Sequence, residues 1–182
     1  MNVFVLNSGR CGSTSFIRAC AHIRNFSAAH ESRLGLVGAA RLAYPERHIE
    51  ADNRLSWLLG RLDQRYGDRA FYVHLSREPE ATIASFARRR EFGIMRAYRE
   101  GILLGGHEGQ TDTELAADYL HTVESNIRFF LQDKSQQMAF RLERAEQDFR
   151  RFWDWIGAEG ELAPALAEWR IKHNASGLSS DP

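Results

Sequence analysis

The chain has 182 residues, 43% of them hydrophobic, so it is long enough to bury a core and short enough to form one domain over residues 1–182. Lys+Arg and Asp+Glu both number 24, which leaves no net charge to attract nucleic acid or an anionic membrane. No apolar run would cross a bilayer, no secretory leader is recognisable, and Cys11 and Cys20 fit neither a disulfide framework nor a metal site. We therefore expect a cytoplasmic protein without a metal, whose oligomeric state stays open.

Short β-rich runs alternate with stretches of helical periodicity along the chain. The sequence predicts five strands, at residues 3–7, 26–30, 47–51, 70–76 and 136–142. It predicts helices at 13–23, 32–44, 52–67, from Pro79 onward, after a capping box at Thr111 and Glu114, and at 148–157. This alternation is typical of a three-layer α/β fold, with a mostly parallel central sheet and helices on both faces.

Two segments are less regular. Residues 92–110 become rich in glycine and predict a partly mobile connection or lid. The polar C-terminal tail is expected to be irregular after Trp169.

The first strand runs into NSGRCGST, a loop that precedes the first helix. Free backbone N–H groups at a helix N-terminus bind phosphate or sulfate oxygens. Gly9 and Gly12 permit a tight turn, and Arg10 adds a cation; the hydroxyl donors are Ser13, Thr14 and Ser15. A nucleoside-triphosphate loop would carry lysine where Ser13 stands. The alternative is an ordinary glycine turn with a serine helix cap.

A second group of polar residues follows the clearest strand. Arg77 lies just past the end of that strand, where ligands bind in open α/β sheets, and Ser85 lies eight residues later. An arginine and a hydroxyl can together hold a phosphate, although a strand-end arginine is often only part of an ion pair.

Taken together, NSGRCGST and SREPEATIASF resemble the sulfotransferases that use 3′-phosphoadenosine-5′-phosphosulfate (PAPS). The 5′-phosphosulfate motif of that family is matched by Arg10, Cys11, Gly12, Ser13 and Thr14, and its 3′-phosphate motif by Arg77, Pro79 and Ser85. Residues 140–160 also look like the family's late strand, helix and closing glycine. With arginine at position 10, the loop most resembles that of the carbohydrate-sulfotransferase branch. The short chain resembles a small bacterial-type member of the family.

The resemblance implies a fold like that of the P-loop nucleotide hydrolases. It also implies transfer of a sulfuryl group from PAPS to an acceptor hydroxyl or amine, with adenosine 3′,5′-bisphosphate as product and no metal. The family's late Arg-Lys-Gly loop is missing. Arg170, Lys172 and Asn174 occupy roughly its place and are candidates for binding the 3′-phosphate.

Sulfuryl transfer calls for a general base, which in this family is a histidine or glutamate. Glu50 is the first candidate, and His48 shares its face of the third strand by alternation. His30 and Glu31, after the second strand, form another candidate pair. The alternatives are an ion pair for Glu50 and a solvated loop for His30 and Glu31. The run of arginines at 88–90 is either a solvated helix end or a site for an anionic acceptor.

The acceptor could be a small molecule or a carbohydrate. Two other functions remain open from the sequence: a small-molecule kinase with an atypical phosphate loop, and a nucleotide-binding module without catalysis.

Overall fold

The computed structural model describes residues 1–171. Its centre is a five-stranded sheet in which every pair of neighbouring strands is parallel, in the order β2-β3-β1-β4-β5. The strands are β1 (Val3–Leu6), β2 (Ser27–His30), β3 (His48–Ala51), β4 (Phe71–Ser76) and β5 (Gln137–Arg141). All five lie within the predicted segments, and the predicted fold class is confirmed.

Seven α-helices of the described chain connect and cover the strands. They are α1 (Ser13–Cys20), α2 (Leu59–Tyr66), α3 (Pro79–Ala87), α4 (Gly93–Ala97), α5 (Asp112–Leu131), α6 (Ala145–Ile156) and α7 (Leu162–Ala167). The predicted capping box at the start of α5 is present, since Thr111 Oγ1 accepts from the N–H of Glu114 and the Glu114 carboxylate accepts from the N–H of Thr111.

β1 lies in the middle of the sheet and is buried on both faces. Val3 and Val5 belong to a core with α1, α6 and α7, in which the aromatic ring of Phe16 packs against Phe149 and Phe152. The intervening residues of β1 face a second core with α2, α3 and α5. A strand whose residues are all apolar is expected to be buried on both faces of its sheet, as β1 is.

The helix predicted at 32–44 is wrong. In its place are exposed turns and one short 3₁₀ helix, Gly38–Leu42. Gly35 and Gly38 adopt φ values of 77° and 59°, which a regular α-helix excludes.

The helix predicted at 52–67 is divided into two pieces. Asp52 caps the first as predicted, with its Oδ1 accepting from the Arg54 N–H at 2.8 Å, but that piece is a 3₁₀ helix, Asn53–Trp57. The α2 helix begins only after it.

The segment predicted to be loose, 92–110, contains regular structure in its first half. The α4 helix continues into a π-helical turn, Tyr98–Ile102. Buried Met95 and Tyr98 attach it to the α5 side of the sheet, where Tyr98 Oη donates to Asp118 Oδ2 at 2.5 Å. Within residues 1–171 no helix is both long and apolar enough to span a membrane.

Candidate functional site

The loop between β1 and α1 is held by side chains from several elements. Asn7 Oδ1 accepts from the N–H of Gly9 at 2.9 Å. Tyr119 of α5 donates to the carbonyl of Ser8 at 2.7 Å, and Ser56 donates to the carbonyl of Asn7 at 3.0 Å. These bonds fix the loop before any ligand arrives, which is the condition for an efficient anion site.

Three residues of the loop have left-handed backbone conformations. Gly9 and Gly12 have φ values of 93°, and Arg10 has 59°. Gly12 is also the N-cap of α1, and a Cβ there would lie 2.7 Å from Leu142 Cδ1. The backbone angle therefore favours glycine at position 12, and any larger residue would also have to displace the end of the Leu142 side chain.

The start of α1 offers hydrogen-bond donors to an anion. First-turn N–H groups have no partners within a helix, and a glycine N-cap has no side chain to accept from them. The first turn also contains no acidic residue. The helix dipole adds partial positive charge at the same place.

Arg10 belongs to the glycine loop and contacts residues of the second sequence motif. Its Nε donates to Ser85 Oγ at 3.0 Å, and Arg77 Nη1 reaches the Arg10 carbonyl at 3.4 Å. The structure thus brings together three of the predicted site residues. Burial and the nearby guanidinium groups of Arg89, Arg77 and Arg88 lower the pKa of Arg10 from its ordinary value. The cluster is therefore an electropositive centre that favours a polyanion.

A cleft of about 260 Å³ opens beside this centre, and we call it the loop cleft. Its polar side includes Arg10, Ser13, His30 and Glu31. The apolar part of its lining comes from the end of α3 and the start of α4 and consists of Phe86, Phe92, Ile94 and Met95.

His30 and Glu31 come to the loop cleft because β2 ends there. His30 Nε2 is 3.0 Å from Ser13 Oγ, so the imidazole lies directly beside the loop between β1 and α1. The Glu31 carboxylate is 3.1 Å from Arg54 Nη1, and the backbone of Glu31 has a φ of 52°. A non-glycine residue in this conformation is strained, as is common at functional sites.

Glu50 and His48 are placed differently. Glu50 is fully buried and lines neither the loop cleft nor a second, larger cavity between α3 and α5. Its Oε1 accepts from the N–H of Ser32 at 2.7 Å, and its Oε2 accepts from Ser32 Oγ at 2.6 Å and lies 2.9 Å from His48 Nε2. The carboxylate thus holds the turn that follows His30 and Glu31, rather than facing the cleft.

A larger cavity, of about 460 Å³, lies between α3 and α5. Arg77 lines it, and the partly buried pair His74–Glu124, with 2.8 Å between Nε2 and Oε2, lies in its wall. Across residues 1–171 no cluster of three or more histidine, cysteine or acidic side chains is arranged to bind a metal ion.

Of the C-terminal candidates, Arg170 is exposed, and its Nε lies 3.0 Å from Glu146 Oε1. Lys172 and Asn174 lie outside the described residues.

Two solved structures are similar to this one over most of its length. The sulfotransferase domain from the curacin biosynthetic pathway has a TM-score of 0.65 and 17% identity, over 96% of this chain and 79% of that one. Mouse sulfotransferase SULT7A1, complexed with PAP, has a TM-score of 0.55 and 12% identity, over 93% of this chain and 63% of that one. The chain has the fold of these sulfotransferases. No protein-family model and no curated protein sequence matches it.

Within this sulfotransferase-like fold, several site residues were not predicted. Asn7 fixes the loop, Leu142 packs over Gly12, and Phe92 lines the loop cleft, whereas Arg89, which also lines it, belongs to the run at 88–90 for which an anionic acceptor was one prediction. Asn7 is the last residue before the glycine turn, a position from which an amide side chain commonly binds the backbone two residues on, so the sequence carried a signal for it. Leu142 and Phe92 come close only through tertiary packing.

Proposed function

We propose that the chain transfers a sulfuryl group from PAPS to an acceptor hydroxyl or amine. The proposal rests on one observation, the contact between the glycine loop and the segment that bears Arg77 and Ser85. The Arg10 side chain donates to Ser85, and the Arg10 carbonyl accepts from Arg77. A loop that binds one anion is common, but two adjacent anion sites match a nucleotide that is phosphorylated at both its 5′ and 3′ positions.

The loop residues bind and stabilise the phosphosulfate. In this proposal the N–H groups at the start of α1 and the Arg10 guanidinium stabilise the charge that develops on the bridging oxygen. As the acceptor oxygen forms its bond to sulfur, the sulfur–oxygen bond to the phosphate breaks, and the bisphosphate leaves with the electron pair. Arg77 and Ser85 hold the 3′-phosphate.

We assign the acceptor to the loop cleft and the proton-accepting role to the pair His30–Glu31. Both residues line this cleft, and His30 contacts Ser13 of the loop. Glu50 has its oxygens occupied by buried donors and would need the turn at Ser32 to open before it could accept a proton. The acceptor is a small molecule or a carbohydrate, the latter suggested by arginine at position 10.

The proposal is tested by calorimetry and by transfer of labelled sulfate. We expect tight binding of adenosine 3′,5′-bisphosphate without metal, weak binding of ATP–Mg²⁺, and sulfuryl transfer from PAPS to a pool of acceptors. Binding of ATP–Mg²⁺ in preference to the bisphosphate would favour the kinase. Tight bisphosphate binding without transfer to any acceptor would favour a binding module.

The Arg77→Ala variant tests the role of Arg77 in binding the 3′-phosphate. We expect it to weaken binding of adenosine 3′,5′-bisphosphate far more than binding of the 5′-monophosphate, because only the former carries the 3′-phosphate. Each charge-assisted hydrogen bond that is lost corresponds to about 1.5–3 kcal/mol, or roughly 10- to 150-fold in affinity. Equal losses for the two ligands would mean that Arg77 has only a structural role.

A further inference from the structure

The two walls of the loop cleft differ in chemistry. The wall that bears His30 and Glu31 is polar, whereas the end of α3 and the start of α4 supply Phe86, Phe92 and Ile94. Phe92 is 69% exposed, although it lies at the edge of a cleft. An exposed aromatic ring beside a polar reaction centre is typical of a site that binds a molecule with an apolar body.

The cleft also contains an arginine to which the proposed reaction assigns no role. Arg89 is half-buried and lines the cleft, but its guanidinium makes no hydrogen bond or ion pair with any residue in 1–171. Its neighbour Arg90 is bound to Asp112 at 2.8 Å, and Arg54 across the cleft is bound to Glu31 at 3.1 Å. Arg89 is therefore the cation of this cleft that remains available for a ligand.

Electrostatics favour an anion at this position. The cleft is lined by Arg10, Arg54 and Arg89, and its acidic residue Glu31 is already paired with Arg54. Arg89 is also close enough to Arg10 to contribute, after burial, the largest effect on the pKa of Arg10. In the proposed reaction the phosphosulfate is bound by the loop and the 3′-phosphate by Arg77 and Ser85.

We propose that the acceptor is an amphipathic hydroxyl compound whose apolar body lies against Phe92 and Ile94 and whose carboxylate binds Arg89. This inference rests on the proposed function and narrows its acceptor class. It predicts that an aryl or alkyl alcohol bearing a carboxylate is a better acceptor than a neutral sugar, since a sugar would leave Arg89 unpaired and the apolar wall uncovered.

The test compares a matched pair of acceptors with PAPS as donor. 3-(4-Hydroxyphenyl)propionate and 4-propylphenol share a phenol and a three-carbon chain and differ in the carboxylate. We expect the wild type to prefer the carboxylated phenol by about 10-fold or more in kcat/KM, as for a charge-assisted hydrogen bond. Methyl glucoside, a neutral sugar, is expected to be the poorest acceptor.

The variants separate the two walls. Arg89→Met is expected to reduce the preference for the carboxylated phenol to near one, whereas the same change at the exposed neighbour Arg88 leaves the ratio as it is. Phe92→Ala is expected to raise KM for both phenols without changing their ratio. Since Phe92 and Arg88 are exposed, their replacement does not threaten the fold.

A wild-type ratio near one, or a preference for methyl glucoside, would overturn this inference and leave the proposed function standing. If Arg89→Met weakened the binding of adenosine 3′,5′-bisphosphate as strongly as it weakened use of the carboxylated phenol, Arg89 would belong to the nucleotide site, and the inference would again fail. Failure to transfer to any acceptor would overturn the proposed function itself.

Discussion

Arg10 shows how much one residue of the loop depends on its surroundings. It occupies a left-handed backbone conformation, and its side chain donates a hydrogen bond to Ser85. Three other arginines, which carry the same positive charge, lie nearby and repel it. A cluster of like charges is unfavourable in the free protein and is relieved when a polyanion binds. The unfavourable arrangement is therefore an indication of the ligand's charge.

Replacing Arg10 by glutamine is expected to lower kcat for sulfuryl transfer by about 10²–10³, because a preorganised donor to the leaving phosphate is lost. The half-buried position predicts little change in folding, which circular dichroism would check. Arg18→Gln, at an exposed position in the last turn of α1, is the control and is expected to leave kcat unchanged. Undiminished turnover in the Arg10 variant would remove this residue from the mechanism.

The proton acceptor gives a second prediction at this scale. The double variant His30→Gln, Glu31→Gln is expected to lose transfer by about 10²–10⁴ while binding adenosine 3′,5′-bisphosphate normally. Single-turnover kinetics and calorimetry separate the two effects. The single variant with the greater loss identifies the base.

Glu50→Gln is expected to behave differently. Glutamine has one acceptor oxygen, so it cannot accept from both the N–H and the hydroxyl of Ser32 as the two carboxylate oxygens do. The unsatisfied donor predicts a loss of about 1–3 kcal/mol in the free energy of unfolding, measured in urea. If this variant instead kept its stability and lost transfer, Glu50 would be the base, as the sequence first predicted.

Among the elements, the turn into α1 is the most constrained. Gly12→Ala adds a Cβ 2.7 Å from Leu142 Cδ1 at a φ of 93°, so the backbone is strained and the Leu142 side chain must shift. We expect a loss of stability beyond the roughly 1–2 kcal/mol of a left-handed alanine, together with weakened bisphosphate binding. Thermal unfolding and calorimetry on the same samples measure both.

Gly157→Ala is the matched control for that element. Gly157 ends α6 with a φ of 62°, and a Cβ there would meet nothing within 4 Å. It is expected to cost only the backbone strain and to leave nucleotide binding intact. Similar losses of binding in the two variants would show that the contact with Leu142 is not what makes position 12 special.

The elements also show what the sequence could and could not predict. Buried parallel strands are apolar on both faces, so β1 and β4 were recognisable as short hydrophobic runs, whereas the partly exposed β2, SAAH, gives a weaker signal. The segment at 32–44 failed because alanine and leucine suggest a helix while two glycines with positive φ prevent it. The role of Glu50 could not be predicted, because alternation gives the face of a strand but not whether a donor such as Ser32 covers it.

At the scale of the whole molecule, the reactivity of the two buried cysteine thiols measures whether the chain stays folded. Burial raises the pKa of the Cys11 thiol to about 12 and that of Cys20 well above its ordinary value. At pH 8 a thiol with this pKa is ionised to a fraction on the order of 10⁻⁴, and the thiolate is the reactive form. Neither side chain is exposed to reagent in the folded chain.

We therefore expect both thiols to resist Ellman's reagent at pH 8 in the native protein and to react fully in guanidinium chloride. Adenosine 3′,5′-bisphosphate should slow the reaction of Cys11 further, because Cys11 belongs to the loop that would bind it. Mass spectrometry of the modified peptides distinguishes the two sites. Rapid native modification of Cys11 without nucleotide would show that the loop opens easily.

The central place of β1 has a consequence for biosynthesis. Val3 pairs with Ile49 on one side and with Phe71 on the other, so β1 meets its second neighbour only after roughly 70 further residues have been synthesised, several seconds later at about 5–20 residues per second. Until then an entirely apolar strand has at least one unpaired edge, which makes it a target for chaperones and for aggregation. The loop after β1 likewise lacks the hydrogen bond from Tyr119 to the carbonyl of Ser8 until α5 has been synthesised. A nascent chain truncated before that helix would therefore carry the complete glycine motif without this contact.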